Sequence, residues 1–284
     1  MAKDFPARRY GMGDVLDLNA LLGEVIRLAH EAGSLLVDRF KNYGEVEFKG
    51  EGDIVTEADK ESERLITSAL RSLCPDHAVL GEEFGGSGAE GAEYLWAIDP
   101  LDGTANYAGG LAIFSVSIAL LHRGEPVLGV VHDPNRGWTF HAVKGEGAFL
   151  NGERISVNSH GKLSSTGLFG VSTDVISSVP LYMRFLGKCR SLGSAALHIC
   201  HVAMGVFDGC VDIHAHLWDV AAAALILQEA GGRFTDLKGA PHFPLPPSSE
   251  AWRGGEMPFV ATNGLVHEQV LELIDRYGSP PHRG

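Results

Sequence analysis

Apolar residues recur at helical spacing in two stretches near the start of the chain. The first covers residues 18–36 and predicts a long amphipathic helix. The second covers residues 65–73 and stops just before Pro75, which predicts a second helix that ends there. The segment between them, at residues 44–52, is rich in Gly and Glu, and we expect it to form a loop.

The middle of the chain changes to short apolar runs that are separated by turn residues. The predicted strands are residues 78–80, 94–98, 114–121, 127–132, 138–143 and 149–150. These runs follow one another closely, and no helical pattern separates them. They therefore predict a largely antiparallel sheet.

The last part of the chain alternates between helical and strand patterns. Helices are predicted at residues 176–186, 195–204, 218–230 and about 265–277, and strands at residues 207–213 and 259–262. The Pro-rich segment 241–258 is long for a loop inside a compact domain, so we expect a surface excursion there. The alternation predicts an α+β or mixed α/β fold in which sheets lie between pairs of helices.

The length of 284 residues suits one large domain, or two layered halves that share a long core. We expect a flexible N-terminus at residues 1–13, which offer little to bury. Residues 14–284 would form a single domain. Its α+β half would span about residues 14–160, and its α/β half about residues 161–284.

The composition, with 45% hydrophobic and 21% charged residues, is typical of a folded soluble protein. The chain has 23 basic and 36 acidic residues and a formal net charge of −13. A surface of that sign repels phosphate backbones, which argues against a nucleic-acid partner. It would also repel a small phosphorylated substrate unless the site held bound cations.

The 4 cysteines form no C-x-x-C pair, so we interpret them as reduced thiols in a reducing compartment. The polar N-terminus has no secretory signal, and no apolar run is long enough to cross a bilayer. These features predict a cytoplasmic protein with no membrane partner.

The strongest chemical signal is Asp99-Pro100-Leu101-Asp102-Gly103-Thr104, here called the 99–104 turn, which directly follows a predicted strand. Two carboxylates and a hydroxyl would meet there at a sheet edge, and hard oxygen ligands of this kind suit Mg²⁺. An ordinary β-turn is the alternative, because these residue types also favour turns.

Two further acidic positions strengthen the metal hypothesis. Glu82 follows another short predicted strand, and Asp219 lies at the start of a predicted helix. Each also has a simpler interpretation, since Glu82 fits a solvated loop and Asp219 fits a helix N-cap. Their combination with the 99–104 turn favours a carboxylate cluster.

Four segments match, in order and spacing, the motifs of the inositol monophosphatase family, which this chain resembles from about residue 18 to 275. They are Asp53-Ile54-Val55-Thr56-Glu57-Ala58-Asp59, Gly81-Glu82-Glu83, the 99–104 turn and Trp218-Asp219-Val220-Ala221. The resemblance implies a five-layer α-β-α-β-α sandwich of the sugar phosphatase type, with the half at about 14–160 binding metal. It also implies a Mg²⁺-dependent, lithium-sensitive phosphatase that forms a homodimer.

The resemblance, carried over residue by residue, implies at least two metal sites. Glu82, Asp99 and the carbonyl oxygen of Leu101 would hold the first ion. Asp99, Asp102 and Asp219 would hold the second, so that Asp99 bridges the two. Glu82 would also help to hold a third ion, and two or three Mg²⁺ ions are therefore expected.

The resemblance also implies catalytic and substrate-binding residues. Thr104 and Asp59 would orient and deprotonate the attacking water, and with Glu82 they form the implied catalytic set. Asp59 fits a capping box with Thr56 as well. Lys49 resembles a metal-site lysine of the family, although its spacing differs by about one residue. The implied substrate-binding residues are Asp102, Gly103, Thr104, Gly193, Ser194, Ala195, Asp212 and Asp219.

Two positions depart from the family pattern. Ala105 stands where many members have a second Thr, which removes a hydroxyl but no metal ligand. Asp212 stands where inositol-specific enzymes use Glu against the ring hydroxyls, so the identity of the alcohol stays open.

The leading substrate is myo-inositol 1-phosphate, a small phosphorylated polyol. Fructose 1,6-bisphosphate, 3′-phosphoadenosine 5′-phosphate and histidinol phosphate remain alternatives on the same fold. A catalytically silent regulator that binds metal or phosphate is the alternative of a different class.

Overall fold

The computed structural model of this protein describes residues 16–40, 46–50, 53–86, 88–178 and 187–277, without the side chains of residues 46–50, 53–56 and 177–178. The helices are α1 Leu18–Phe40, α2 Glu57–Leu73, α3 Thr104–Ala108, α4 Thr173–Ser178, α5 Ala195–Ala203, α6 Leu217–Glu229 and α7 His267–Tyr277. The strands are β1 Val46–Gly50, β2 Asp53–Thr56, β3 Ala78–Gly81, β4 Tyr94–Asp102, β5 Ser115–His122, β6 Glu125–Asp133, β7 Trp138–Val143, β8 Gly147–Leu150, β9 Glu153–Ile155, β10 Leu168–Val171, β11 Lys188–Arg190, β12 Gly209–Asp212, β13 Arg233–Thr235 and β14 Phe259–Thr262.

These elements stack in five layers. Helices α1 and α2 pack on one face of a seven-stranded sheet with the order β3-β4-β5-β6-β7-β8-β9. Helices α5 and α6 lie between that sheet and a five-stranded sheet with the order β11-β10-β12-β14-β13. Helices α4 and α7 cover the outer face of the second sheet. The expected five-layer α-β-α-β-α sandwich of mixed α/β type is confirmed.

The seven-stranded sheet is antiparallel except at one edge, where β3 and β4 run parallel. The prediction of a largely antiparallel sheet in the middle of the chain is therefore confirmed. The exception matters for function, because parallel neighbours end at the same edge of a sheet. Both strands have acidic residues at this edge, since Glu82 directly follows β3 and Asp102 ends β4.

Helix α6 is the centre of the molecule and is buried along almost its whole length. Its apolar residues surround the helix on every side, as expected for a helix between two sheets. The seven-stranded sheet approaches it closely at Gly129 of β6, where a Cβ would lie 2.7 Å from the carbonyl oxygen of Ala222. A residue without a side chain is required at this contact.

The prediction of a loop at residues 44–52 is wrong. Strand β1 covers residues 46–50 and pairs antiparallel with β2 to form a hairpin. Val46 and Phe48 alternate with charged residues, which is the period of a strand. Glycines on both sides hid that short signal. Strands β9, β10, β11 and β13, each of three or four residues, also have no counterpart among the predicted strands.

The expected surface excursion at residues 241–258 is also wrong in part. This segment contains a 3₁₀ helix, Glu250–Arg253, and buries the side chain of Trp252, which is 3% exposed. The indole Nε1 of Trp252 donates a hydrogen bond to the carbonyl oxygen of Pro246 at 2.8 Å. Apolar residues among the prolines therefore anchor the segment to the central core.

Some expectations concern parts of the chain that the structure does not describe. The N-terminal stretch 1–13 lies outside the described residues, as does the last part of the predicted helix 176–186, of which α4 is the beginning. All four cysteines are free, as expected. Across the described ranges, no helix is long and apolar enough to cross a membrane.

Candidate active site

The parallel pair β3 and β4 brings two acidic segments together. Gly81 at the end of β3 pairs with Ile98 of β4, and the backbone N–H of Glu82 donates to the carbonyl oxygen of Ile98 at 3.3 Å. Glu82, directly after β3, and Asp99, in the last part of β4, therefore lie beside each other at the same edge of the sheet.

The 99–104 turn is shaped by an irregularity in the pairing of β4 with β5, which falls between Asp99 and Asp102. The backbone N–H of Leu101 donates to Asp99 Oδ1 at 2.9 Å. Gly103 has a φ of 106°, and a Cβ there would lie 3.0 Å from the carbonyl oxygen of Ile113. Glycine is therefore required at this position. The side chains of Asp99 and Asp102 both line the same cavity.

Thr104 begins α3 directly after this glycine. Its hydroxyl oxygen lies 3.2 Å from Asp59 Oδ1 and 3.0 Å from the carbonyl oxygen of Leu101. Asp59 is fully buried in the first turn of α2. Because a hydroxyl has one proton and two lone pairs, it can donate to Asp59 and still accept a hydrogen bond from a water. This pair can therefore pass a proton from a water to a carboxylate.

The carboxylate of Asp102 lies at the N-terminus of α5. It accepts hydrogen bonds from the hydroxyls of Ser115, at 3.0 Å, and Ser194, and from the backbone N–H groups of Ala195 and Ala196, each at 3.0 Å. A helix N-terminus favours an anion through its free N–H groups and its dipole. The groups expected to bind substrate thus converge on the same point as Asp102.

Two more carboxylates come from the second sheet and the central helix. Asp219 lies in the first turn of α6, and its Oδ2 accepts from the backbone N–H of His216 at 2.6 Å. Asp219 is therefore not the N-cap, which is His216, but the third residue of the helix, and its carboxylate binds the N-cap backbone. This contact coexists with a position at the site. Asp212 ends β12, and its Oδ1 accepts from the N–H groups of Ile213, at 2.6 Å, and His214, at 3.1 Å.

These groups line one cavity of about 310 Å³, a size that suits a small ligand. Asp59 belongs to the site through its contact with Thr104. Lys49 lies in β1, and its side chain is outside the described part of the structure. The predicted site residues that line the cavity are Glu82, Asp99, Leu101, Asp102, Gly103, Thr104, Gly193, Ser194, Ala195, Asp212 and Asp219.

Burial and mutual repulsion make the charged form of this cluster costly. Burial, followed by the charges of Glu82, Asp102 and Asp219, holds the pKa of Asp99 well above its usual range. Burial and the charge of Asp219 raise the pKa of Asp102 to about 7. Burial raises the pKa of Asp212 to about 6. A bound cation would offset this repulsion.

The donor set of this cluster fits a hard divalent cation, since it consists of carboxylate and carbonyl oxygens. Within the described residues, no three His, Cys, Asp or Glu side chains stand in a ready-made ligand arrangement. The carboxylates of Asp102 and Asp219 instead accept hydrogen bonds from helix N-termini.

Several residues at the site were missed by the sequence interpretation. Ser115 binds Asp102, and the amide of Asn106 donates to the carbonyl oxygen of Leu192, linking α3 to the segment before α5. On α2, the side chains of Ser62 and Glu63 are buried and reach the two acidic segments. For Ser62 and Glu63, the available signal was that these polar residues continue the helical spacing of the apolar positions at Ile66 and Leu70.

Comparisons with known proteins identify relatives over nearly the whole chain. A model of the inositol monophosphatase family matches residues 17–277. A fructose-1,6-bisphosphatase/inositol-1-monophosphatase from Aquifex aeolicus is 36% identical over 89% of this chain and 95% of its own. The Nus factor SuhB of Pasteurella multocida is 37% identical over 78% of this chain and 87% of its own. Among solved structures, an IMPase from Thermotoga maritima has a TM-score of 0.81 at 36% identity, covering 91% of this chain and 98% of its own.

Proposed function

Because the chain belongs to the inositol monophosphatase family and is a phosphatase, we propose that it hydrolyses a small phosphate monoester with the help of Mg²⁺. The leading substrate is myo-inositol 1-phosphate, which would yield inositol and phosphate. Members of this family generally depend on metal, and carboxylate oxygens of the kind that line the cavity are ligands that Mg²⁺ prefers. We propose two or three Mg²⁺ ions, the number that the family resemblance implies.

One observation carries the proposal. Carboxylates from at least four separate segments line a single cavity, and a hydroxyl–carboxylate pair, Thr104 and Asp59, borders it. A protein that merely bound metal or phosphate would have no use for that pair. This argues for hydrolysis over a catalytically silent regulator.

The proposed metal ligands are those that the family resemblance implies. Glu82, Asp99 and the carbonyl oxygen of Leu101 would hold one ion, while Asp99, Asp102 and Asp219 would hold a second. Glu82 would also help to hold a third. When bound, the ions neutralise phosphate charge and acidify water, which is the contribution that phosphoryl transfer needs most.

The remaining chemistry falls to the side chains and backbone of the chain. Thr104 would orient the attacking water, and Asp59 would accept the proton that the water loses, through the Thr104 hydroxyl. As the new P–O bond forms, the bond to the alcohol breaks, and the alkoxide takes a proton from solvent. The start of α5, including Gly193, Ser194 and Ala195, would orient the phosphate, and Asp212 would accept hydrogen bonds from the alcohol.

The substrate is the part of the proposal that needs the most direct test. The Aquifex relative carries both phosphatase names, so fructose 1,6-bisphosphate stays a candidate beside inositol 1-phosphate. Phosphate release should be compared for these two compounds, 3′-phosphoadenosine 5′-phosphate and histidinol phosphate. The highest kcat/KM on inositol 1-phosphate would support the leading assignment, and a higher value on another compound would replace it.

Asp99→Asn tests the reaction type. Without a charged bridging ligand, Mg²⁺-dependent phosphate release should fall to background, while the metal-free fold is retained because a buried repulsive charge has been removed. Asp275→Asn, at an exposed position on α7, is the matched control. Full activity in Asp99→Asn would contradict the metal assignment.

Several further features complete the proposal. We propose that the protein is a lithium-sensitive, cytoplasmic homodimer without a nucleic-acid or membrane partner. We also propose that residues 14–284 form one domain with a metal-binding half at about 14–160. The support for one domain is the central position of α5 and α6, which contact both sheets.

A further inference from the structure

Three polar residues of α2 are buried where a helix in this layer would normally bury apolar side chains. Asp59, Ser62 and Glu63 are 0%, 0% and 1% exposed. Their spacing of three and four residues places them on one face of the helix. Burying such groups is costly unless each finds a hydrogen-bond partner.

Glu63 contacts the turn that carries Glu82. Its two carboxylate oxygens accept hydrogen bonds from the backbone N–H groups of Glu83, at 2.7 Å, and Phe84, at 3.1 Å. Hydrogen bonds to a charged acceptor are about twice as strong as those between neutral groups. The ring of Phe84, which is 55% exposed, also lies 5.3 Å from the guanidinium of Arg64 on α2. Glu63 adds two hydrogen bonds from its carboxylate to the backbone of this turn.

Gly81 leaves space for the carboxylate of Glu63, because it has no side chain. A Cβ at Gly81 would lie 2.1 Å from Glu63 Oε1, a distance at which one of the two groups would have to move. The residue before Glu82 is thus a glycine because Glu63 occupies the space beside it. The two segments interlock.

The same face of α2 also contacts the other acidic segment. The Ser62 hydroxyl donates to the carbonyl oxygen of Pro100 at 3.0 Å, in the middle of the 99–104 turn. Asp59, one turn earlier, contacts Thr104. One rigid helix therefore holds both acidic segments through adjacent side chains.

We propose that Glu63 is a positioning residue, which fixes the Glu82 turn relative to the 99–104 turn and so sets the affinity of the site for Mg²⁺. This inference rests on the proposed function, because it assumes that Glu82 and Asp99 share an ion. Residues that orient metal ligands from behind change metal affinity by about 10- to 100-fold when they are replaced. Glu63 would act in this way through the backbone of the turn.

Two substitutions separate position from charge. Glu63→Gln keeps the shape but offers one acceptor and one donor, so it can satisfy only one of the two N–H groups. Glu63→Asp keeps the charge but is one methylene shorter and cannot reach both. Glu61→Gln, on the same helix, is the matched control, because Glu61 is partly exposed and pairs with Arg39 away from these turns.

Mg²⁺ binding should be measured by titration calorimetry on the metal-free proteins, and the Mg²⁺ concentration for half-maximal phosphate release by kinetics. Both Glu63 variants should bind Mg²⁺ at least about tenfold more weakly, while kcat at saturating Mg²⁺ stays near that of the wild type. Glu61→Gln should match the wild type. Urea unfolding without metal identifies a variant whose fold is damaged, and the other variant then decides the question.

The outcomes separate this inference from the proposed function. Wild-type Mg²⁺ affinity in both Glu63 variants would overturn the inference and leave the function intact. Weaker Mg²⁺ binding in Glu63→Gln together with wild-type binding in a folded Glu63→Asp would also overturn the inference, since the charge of residue 63 rather than the position of the turn would then explain the loss. A wild-type protein that neither binds Mg²⁺ nor releases phosphate would contradict the proposed function itself.

Discussion

Replacing Asp212 by Asn should change how the stability of the metal-free protein depends on pH. Asp212 is 9% exposed at the end of β12, and burial raises its pKa to about 6 despite hydrogen bonds from the N–H groups of Ile213 and His214. In the unfolded chain the same group would titrate near about 3.9. Asn does not titrate, so the substitution removes this contribution and leaves the others in place.

The sign and size of the effect follow from these two pKa values. At pH values between about 3.9 and about 6, Asp212 is protonated in the folded protein but ionised in the unfolded chain. The contribution of this group to the unfolding free energy is therefore largest at low pH and is lost as the pH rises through about 6. Each pKa unit corresponds to about 1.4 kcal/mol. At pH 5 the raised pKa of Asp212 still contributes roughly one pKa unit of stabilisation, and at pH 8 it contributes almost none. The unfolding free energy therefore falls by about 1.4 kcal/mol between these two pH values.

Urea unfolding in EDTA at pH 5 and pH 8 measures this quantity. The unfolding free energy of the wild type minus that of Asp212→Asn should be about 1.4 kcal/mol larger at pH 5 than at pH 8. Any fixed cost of the Asn amide cancels in this difference. Asp275→Asn, exposed on α7, controls for the substitution itself. An equal difference at both pH values would refute the reasoning that burial dominates at Asp212.

Two further predictions concern the water-activating pair and the central packing. Thr104→Ala and Asp59→Asn should each lower kcat by about 10²- to 10⁴-fold, and the double variant should lose little more, because the two act as one unit. Additive losses in steady-state assays would separate their roles. Gly129→Ala should cost about 1–3 kcal/mol in urea unfolding, since its Cβ would meet the backbone of Ala222 2.7 Å away. An unchanged midpoint would show that α6 can shift.

The sequence alone predicted that the carboxylates of Glu82 and Asp99 would cluster, and the structure brings both residues to one cavity. Asp99 and Glu82 each follow a short apolar run, and such runs become strands whose ends share an edge when they pair in parallel. Gly103 marks a turn that other residues could not adopt. Local signals of this kind are strong because a strand end and a glycine turn each fix the backbone over a few residues.

Features that depend on distant contacts could not be predicted in the same way. The edge strand Lys188–Arg190 has three residues and an exposed pattern, so its identity as a strand comes from pairing with β10 rather than from its own residues. The β1–β2 hairpin was hidden by flanking glycines. Trp252 looked like part of a loop because the core that buries it lies far away in sequence.

Helix α2 shows a signal that lies between these two cases. Its buried stripe is apolar toward the C-terminus, at Ile66 and Leu70, and continues toward the N-terminus as Ser62, Glu63 and Asp59. A stripe that keeps its period but changes from apolar to polar has to meet polar partners, because buried polar groups without partners are costly. The helical spacing of this stripe can be read from the sequence, but the groups that its polar residues contact are known only from the fold. In this helix, the change from apolar to polar residues lies at the end that is close to the site.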